Sequence, residues 1–508
     1  MGTLQYLMDG FAIAFQWHNI LFALVGVVIG TAVGVLPGIG PMSGVALLIP
    51  VTATLTAGMP LESAAASSII LLAGVYYGAM YGGSTTSILL NTPGESSSVV
   101  TALDGYQMAQ QGRAGSALSI AAIGSFVAGI VALLGLVILA QPLSKVALKF
   151  GPAEYFSLML LGLAAVSGLA GKSMTKALIM TVAGLMLGTI GIDAVSGIAR
   201  FTFNQPVLFG GLEFLTIAVG LFALGEVIKT VLEKDTADEP VAKINRVLPT
   251  KQDLKESAMP ITRGSLLGFF IGVLPGAGAT LASFFSYITE KKVSKNPDSF
   301  GKGNIAGVAG PESANNAASG GAMIPLLTLG IPGSGTTAIL MGALIMYNVQ
   351  PGPLLFEDHP NVAWGLIASM FIGNLMLLVL NMPLIRVFAK IIQTPKKYLL
   401  PIIVAISFFG VYAVQYTTFD LYLLLGCGVL GYILSKHDYP VAPLVLALVL
   451  GPMIENNMRR ALTISNGDWS IFVTKPLSLV FLIVAILWLA VPLLLKFSGR
   501  KVIVNEED

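Results

Sequence analysis

GVLPGIG, residues 34–40, and GVLPGAG, residues 272–278, match at six of seven positions and lie 238 residues apart. Each places one proline and three glycines inside a long apolar stretch. Proline removes a backbone donor and clashes with the preceding turn, while glycine opens backbone angles that other residues avoid. A helix therefore ends before each phrase and a new one starts after it, freeing carbonyls on one side and N–H groups on the other. Such backbone survives at membrane depth only where protein buries it or it lines a water-filled cavity.

The composition requires that depth. The chain has 508 residues, 55% hydrophobic and 11% charged, with a mean hydropathy of +0.83. A soluble domain carries about 25% charged residues, so the chain reads as an all-α polytopic membrane protein in a lipid bilayer. The net charge of +2 says nothing about nucleic acid; no basic, aromatic-interleaved stripe appears, and no nucleic-acid partner is expected. One cysteine, Cys427, excludes a disulfide framework and a CxxC metal site. The first residues carry no basic region followed by a small-residue cleavage site, so no cleaved signal peptide is expected.

A membrane helix needs roughly 20 apolar residues. Candidate spans are 116–140, 153–170, 174–191, 211–232, 361–386, 396–414, 419–435, 438–455 and 475–496. The regions 19–57, 62–100, 261–290 and 304–350 are apolar but interrupted, for about 12 membrane segments in all. Residues 233–257 carry 11 charges in 25 positions, and Thr250 to Asp253 suits the cap of a short interfacial helix. Lys/Arg-rich loops at 233–257, 291–302, 386–397 and the tail belong inside, and 348–362 and 411–420 belong outside. Lys145, Lys149, Arg459 and Arg460 then fall outside, against the trend.

The two halves read as a repeat. Aligning the LPG phrases brings Gly82-Gly83 onto Gly320-Gly321. After one inserted residue, Thr92-Pro93-Gly94 meets Ile331-Pro332-Gly333, and Ser97-Ser98 meets Thr336-Thr337. Four crossings separate 116 from the charged linker, and five separate 361 from the tail, so the copies point in opposite directions. The expected divisions are a first repeat in 1–140 (core 20–140), connecting helices in 141–232, and a cytoplasmic linker in 233–259. A second, inverted repeat in 260–386 and C-terminal helices with a cytoplasmic tail in 387–508 complete the chain. Inverted repeats with broken helices or re-entrant hairpins bind substrate and ion near the midplane.

Two further breaks join Pro-Gly to small hydroxyls. In the first, Asn91, Thr92, Pro93, Gly94, Ser96, Ser97 and Ser98 are candidates for binding the substrate. In the second, the candidates are Gly333, Ser334, Gly335, Thr336 and Thr337. Hydroxyls and helix N-termini hold an anion without a cationic side chain; small residues also serve tight helix packing. Carbonyls around Pro37, Gly38, Gly40, Pro275, Gly276 and Gly278 suit Na⁺. The polar island GPESANNAASGG, residues 310–321, supplies Glu312, Asn315 and Asn316, which suit Na⁺, a proton or a structural role. Glu62 and Glu154 are weaker, the latter reading as a helix cap.

Enzymatic signals fail. Gly171-Lys172-Ser173 ends like a phosphate-binding loop, but Val166 stands where that motif needs glycine. His18, His359 and His437 lie near span ends, leaving no base beside a buried serine. No catalytic residue is assigned. A passive anion pore and an intramembrane enzyme remain the alternatives to a transporter.

GVLPGIGP, YGGSTTSILLNTPGE, GPAEYFSL, GVLPGAG, GPESANNAA and TLGIPGSGTTA resemble, over nearly the whole chain, the large membrane subunit of the tripartite tricarboxylate transporters, the TctA type. The resemblance implies a multi-pass subunit of the bacterial inner membrane that imports carboxylates such as citrate. It implies two partners, a small four-helix membrane subunit (TctB type) and a periplasmic substrate-binding protein (TctC type). Coupling to a Na⁺ or H⁺ gradient is expected, with no other cofactor. The inverted hairpins suggest an elevator-type movement, with rigid rocking as the other option.

Overall fold

A computed structural model describes residues 2–36, 40–169, 173–193, 196–232, 248–274, 278–392 and 396–497. The first half runs α1 (Thr3–Ala14), α2 (Trp17–Gly34), α3 (Gly40–Leu55), α4 (Leu61–Leu90), α5 (Val99–Met108) and α6 (Ala114–Ala147). Next come α7 (Pro152–Leu169), α8 (Met174–Leu187), and α9 (Phe214–Ala218) joined by a π turn to α10 (Gly225–Leu232). The second half runs α11 (Lys251–Val273), α12 (Gly278–Val293), α13 (Ala306–Gly321), α14 (Met323–Leu329), α15 (Gly335–Met346), α16 (Leu355–Asp358) and α17 (Pro360–Ile392). The chain closes with α18 (Lys396–Gln415), α19 (Thr418–Lys436), α20 (Ala442–Ile464), α21 (Ile471–Thr474) and α22 (Pro476–Phe497).

Among the described residues, six helices are long and apolar enough to cross a membrane, and shorter apolar helices flank the breaks. The uninterrupted spans read from sequence all form helices, with the span 438–455 moved toward the C-terminus as α20. Two elements carried no clear periodic signal. One is α1, which packs beside α17, where a methyl added at Gly10 would run into the Trp364 carbonyl. The other is a two-residue antiparallel strand pair, Gly191–Ile192 with Ala199–Arg200, a small departure from an all-α chain. Thr250 does form a capping box with Asp253, but it caps the 23-residue α11 and not a short interfacial helix. Glu154 accepts from the Gly151 N–H at 2.9 Å, the cap expected for α7.

Two helical columns form the centre. Every residue from 64 to 89 of α4 is buried, and so is every residue from 307 to 328 of α13 and α14. Each column packs backbone to backbone on a neighbour. Methyl groups added at Gly26, Gly30 and Gly34 of α2 would run into the carbonyls of Leu71, Val75 and Ala79 of α4. Methyls at Gly264, Gly268 and Gly272 of α11 would likewise meet Gly310, Ala314 and Ala318 of α13. Glycine every fourth residue keeps the contact on one face, the close approach that small residues permit between membrane helices.

These contacts correct the alignment. The shift from Gly26 to Gly264 is 238, and that from Leu71 to Gly310 is 239. Gly82 therefore matches Gly321, since their neighbours Thr31 and Phe269 differ by 238, and Gly83 matches Ala322. Helices α3 and α12 still correspond at 238 at both ends, so the extra residue sits in the connector after Val293, before the central column.

Candidate functional site

The first break of each half is closed by a glycine with positive φ, Gly40 at 62° and Gly278 at 65°. Pro37, Gly38, Pro275 and Gly276 lie outside the described residues. Gly94 of the second break rests on the Gly34 carbonyl at the end of α2, so the two breaks of the first half touch.

The second breaks share one backbone path. Helix α4 ends on Asn91 at φ 54°, and α14 ends on Gly330 at φ 69°. Asparagine and glycine are the residues that best accept this left-handed cap. After Pro-Gly, Glu95 (φ −149°, ψ 162°) precedes a 3-10 turn, Ser96–Ser98, that runs into α5. Ser334 (φ −155°, ψ 169°) precedes α15 in the same way. Two pieces of equal geometry thus end in different side chains.

Ser334 and Thr337 form a capping box, with the Thr337 N–H donating to Ser334 Oγ at 3.3 Å and the Ser334 N–H to Thr337 Oγ1 at 2.8 Å. Thr336 and Thr337 are buried; Gly333 is buried, while Ser334 and Gly335 are half-buried. In the other arm Ser97 and Ser98 are buried, Gly94 is buried, Pro93 is half-buried, and Asn91, Thr92 and Ser96 are exposed. Thr92 Oγ1 donates only locally, to the Leu90 carbonyl at 3.2 Å. Each arm meets the opposite half. Ser96 Oγ lies 3.0 Å from Thr280 Oγ1 on α12, and Gly335 abuts the Met42 sulfur on α3.

The polar island lies against the first of these arms. Glu312, Ser313, Asn315 and Asn316 are all 0% exposed. Ser84 Oγ on α4 and Thr101 Oγ1 on α5 each donate to one oxygen of Glu312. Asn315 Nδ2 donates to Glu95 Oε1 at 2.9 Å, and Asn316 Nδ2 donates to Ser125 Oγ on α6 at 2.6 Å. Every one of these bonds joins the second half to the first. The Oδ1 atoms of Asn315 and Asn316 have no hydrogen-bond partner. Buried polar atoms are nearly always satisfied, so two orphaned amide oxygens beside a buried carboxylate fit a bound cation.

Sequence reasoning placed Glu312, Asn315 and Asn316 in one island but missed their partners. Ser84, Thr101 and Ser125 are ordinary small residues of apolar helices, and nothing in their spacing points to a carboxylate in the other half. Glu95 had a signal: it stands where the second arm has Ser334. Glu62 is exposed at the start of α4, away from the island.

Fold and site define a multi-pass helical membrane protein whose polar groups converge at helix breaks. The model of the tripartite tricarboxylate transporter TctA family matches residues 20–446, and the chain belongs to that family, the large subunit of tripartite transporters. A relative in Agrobacterium vitis, described as an uncharacterized 52.8 kDa protein in the TAR-I ttuC′ 3′ region, is 47% identical over 509 residues and covers 100% of both chains. An uncharacterized protein in the TAR-II ttuC′ 3′ region of the same organism is 46% identical over 241 residues, 47% of this chain and 100% of its own length. No solved structure matches.

Proposed function

We propose that this chain forms the transport pathway of a binding-protein-dependent secondary importer of carboxylates, driven by a Na⁺ or H⁺ gradient across the bacterial inner membrane. The observation that carries the reading is the buried polar island, hydrogen-bonded across to the first half, with the second break of each half touching a helix of the other. The N-terminal ends of the helices after the second breaks present N–H groups and hydroxyls to an anion. Glu312, Asn315 and Asn316, with carbonyls freed at the first breaks, would hold the coupling cation, which supplies positive charge that no Lys, Arg or His among those residues provides. A small membrane subunit and a periplasmic binding protein would complete the assembly.

The matched glycine contacts and shared backbone angles support two repeats, and the span parity supports their inversion. Such a pair suits an elevator-type displacement of the site or a rigid rocking of one half against the other. Proteoliposomes holding both membrane subunits, with binding protein outside, should accumulate citrate or another acid held by that protein when a Na⁺ or proton gradient is imposed. Equilibration without accumulation would instead mark a pore, and no uptake of any such acid would sink the reading.

A further inference from the structure

Glu95 and Ser334 occupy matching positions with nearly the same backbone angles, yet they do different things. Ser334 caps its own helix. Glu95 makes no cap bond to the turn it precedes. Its side chain leaves the first arm, packs over Gly83 and accepts from Asn315 Nδ2 on α13 at 2.9 Å. Ser97, 3% exposed, lies two residues further along, in the same turn.

We infer that the arms divide the labour: Glu95 and Asn315 bind the coupling cation, a Na⁺ ion, and the 334–337 arm binds the substrate carboxylate. The inference rests on the transport reading above and narrows it. Residues 330–337 contain no acidic side chain, so an anion there meets N–H groups and hydroxyls alone. An anion at the N–H groups after Glu95 meets that carboxylate first, and the charge it carries when ionised repels an anion. The same charge attracts a cation. Asn315 supplies the independent observation: the residue is 0% exposed, its nitrogen is on Glu95, and its Oδ1 has no partner. Carboxylate, amide and hydroxyl oxygens are the ligands of a hard cation. Glu312 lies three residues before Asn315 on the same helical face and adds a second carboxylate. Its two oxygens each accept one hydroxyl, from Ser84 and Thr101, so it stands beside the Glu95–Asn315 pair as a supporting carboxylate.

The test is equilibrium binding of ²²Na⁺ to the purified full chain in nanodiscs, with no acid present. Wild type should bind saturably. E95Q and N315A should weaken binding about tenfold or more, the loss of one charge-assisted or one amide ligand. E95D should fall between wild type and E95Q, and T262A, on an exposed face of α11, should match wild type. Should E95Q not fold, E95D and N315A carry the comparison. Wild-type affinity in E95Q and N315A, or saturable Na⁺ binding absent from wild type, overturns the assignment. Citrate accumulation in proteoliposomes is read separately. Accumulation with Na⁺ binding indifferent to Glu95 removes the division and keeps the importer. Na⁺ binding lost in E95Q, with no acid accumulated under any gradient, keeps the cation site and removes the importer.

Discussion

The arms at 91–98 and 330–337 follow the same backbone through a left-handed cap, a Pro-Gly step and an extended residue, and then part. One arm ends in a carboxylate aimed at the opposite half, and the other in a self-contained capping box. Backbone geometry and side-chain chemistry have separate origins here. The path is set by proline, glycine and the αL residue. The side-chain chemistry is set by the single position that follows.

The largest test of that asymmetry is Glu312→Ala. It strands Ser84 and Thr101 in a buried site, so stability should fall by roughly 3 kcal/mol. Gradient-driven uptake should disappear. A thermal unfolding series with matched uptake assays reads both, and an active, wild-type-stable variant would break the view of the island as the centre.

Next come paired changes in the glycine contacts. Gly30→Ala and Gly268→Ala each drive a methyl into a carbonyl of a buried column, at positions matched across the halves. Each should cost roughly 1–3 kcal/mol. Equal losses in thermal stability sharpen the equivalence of the halves; a loss in one and none in the other breaks it.

Ser334→Ala removes a helix cap, a change of about 1 kcal/mol. Its larger signature is functional: the acid concentration for half-maximal uptake should rise about tenfold, the worth of one good hydrogen bond to a charged group. An unchanged value would take Ser334 away from the substrate.

The smallest effect falls at the first of the two caps. Asn91→Gly should be neutral within about 0.5 kcal/mol, because glycine accepts φ 54° at least as readily. Gly330→Ala should be worse by about 1–2 kcal/mol, since a methyl there is strained and approaches the Pro351 carbonyl at 2.7 Å. Differential scanning measurements on the two variants separate these values.

How much of this was legible depends on the scale of the signal. Spans were legible because burial in lipid demands long apolar runs, and the breaks because proline and glycine have few other uses there. The capping residue Thr250 was legible, but the length of its helix was not: Lys251 to Ser257 is charged and reads as linker until it continues into the apolar stretch after Pro260. The alignment slipped by one at Gly82 because two adjacent glycines look alike in sequence, and only their neighbours Thr31 and Phe269 tell them apart. The island was visible as composition. Its wiring to Ser84, Thr101 and Ser125 was not, because contacts between residues 191 to 228 apart leave no local pattern.

The clamp at Asp104 has a bearing on how the chain can be altered. Its buried carboxylate collects the N–H groups of Gly301, Gly303 and Asn304 at 2.7–2.9 Å, so the far end of the connector before α13 is tied to α5. The connector already absorbs the one-residue difference between the halves, and the clamp leaves only its opening, just after Val293, to do so. An epitope or fluorophore tag inserted at Ser294 to Asn296 would enter where a change of length is already accommodated, leaving both glycine ladders in register.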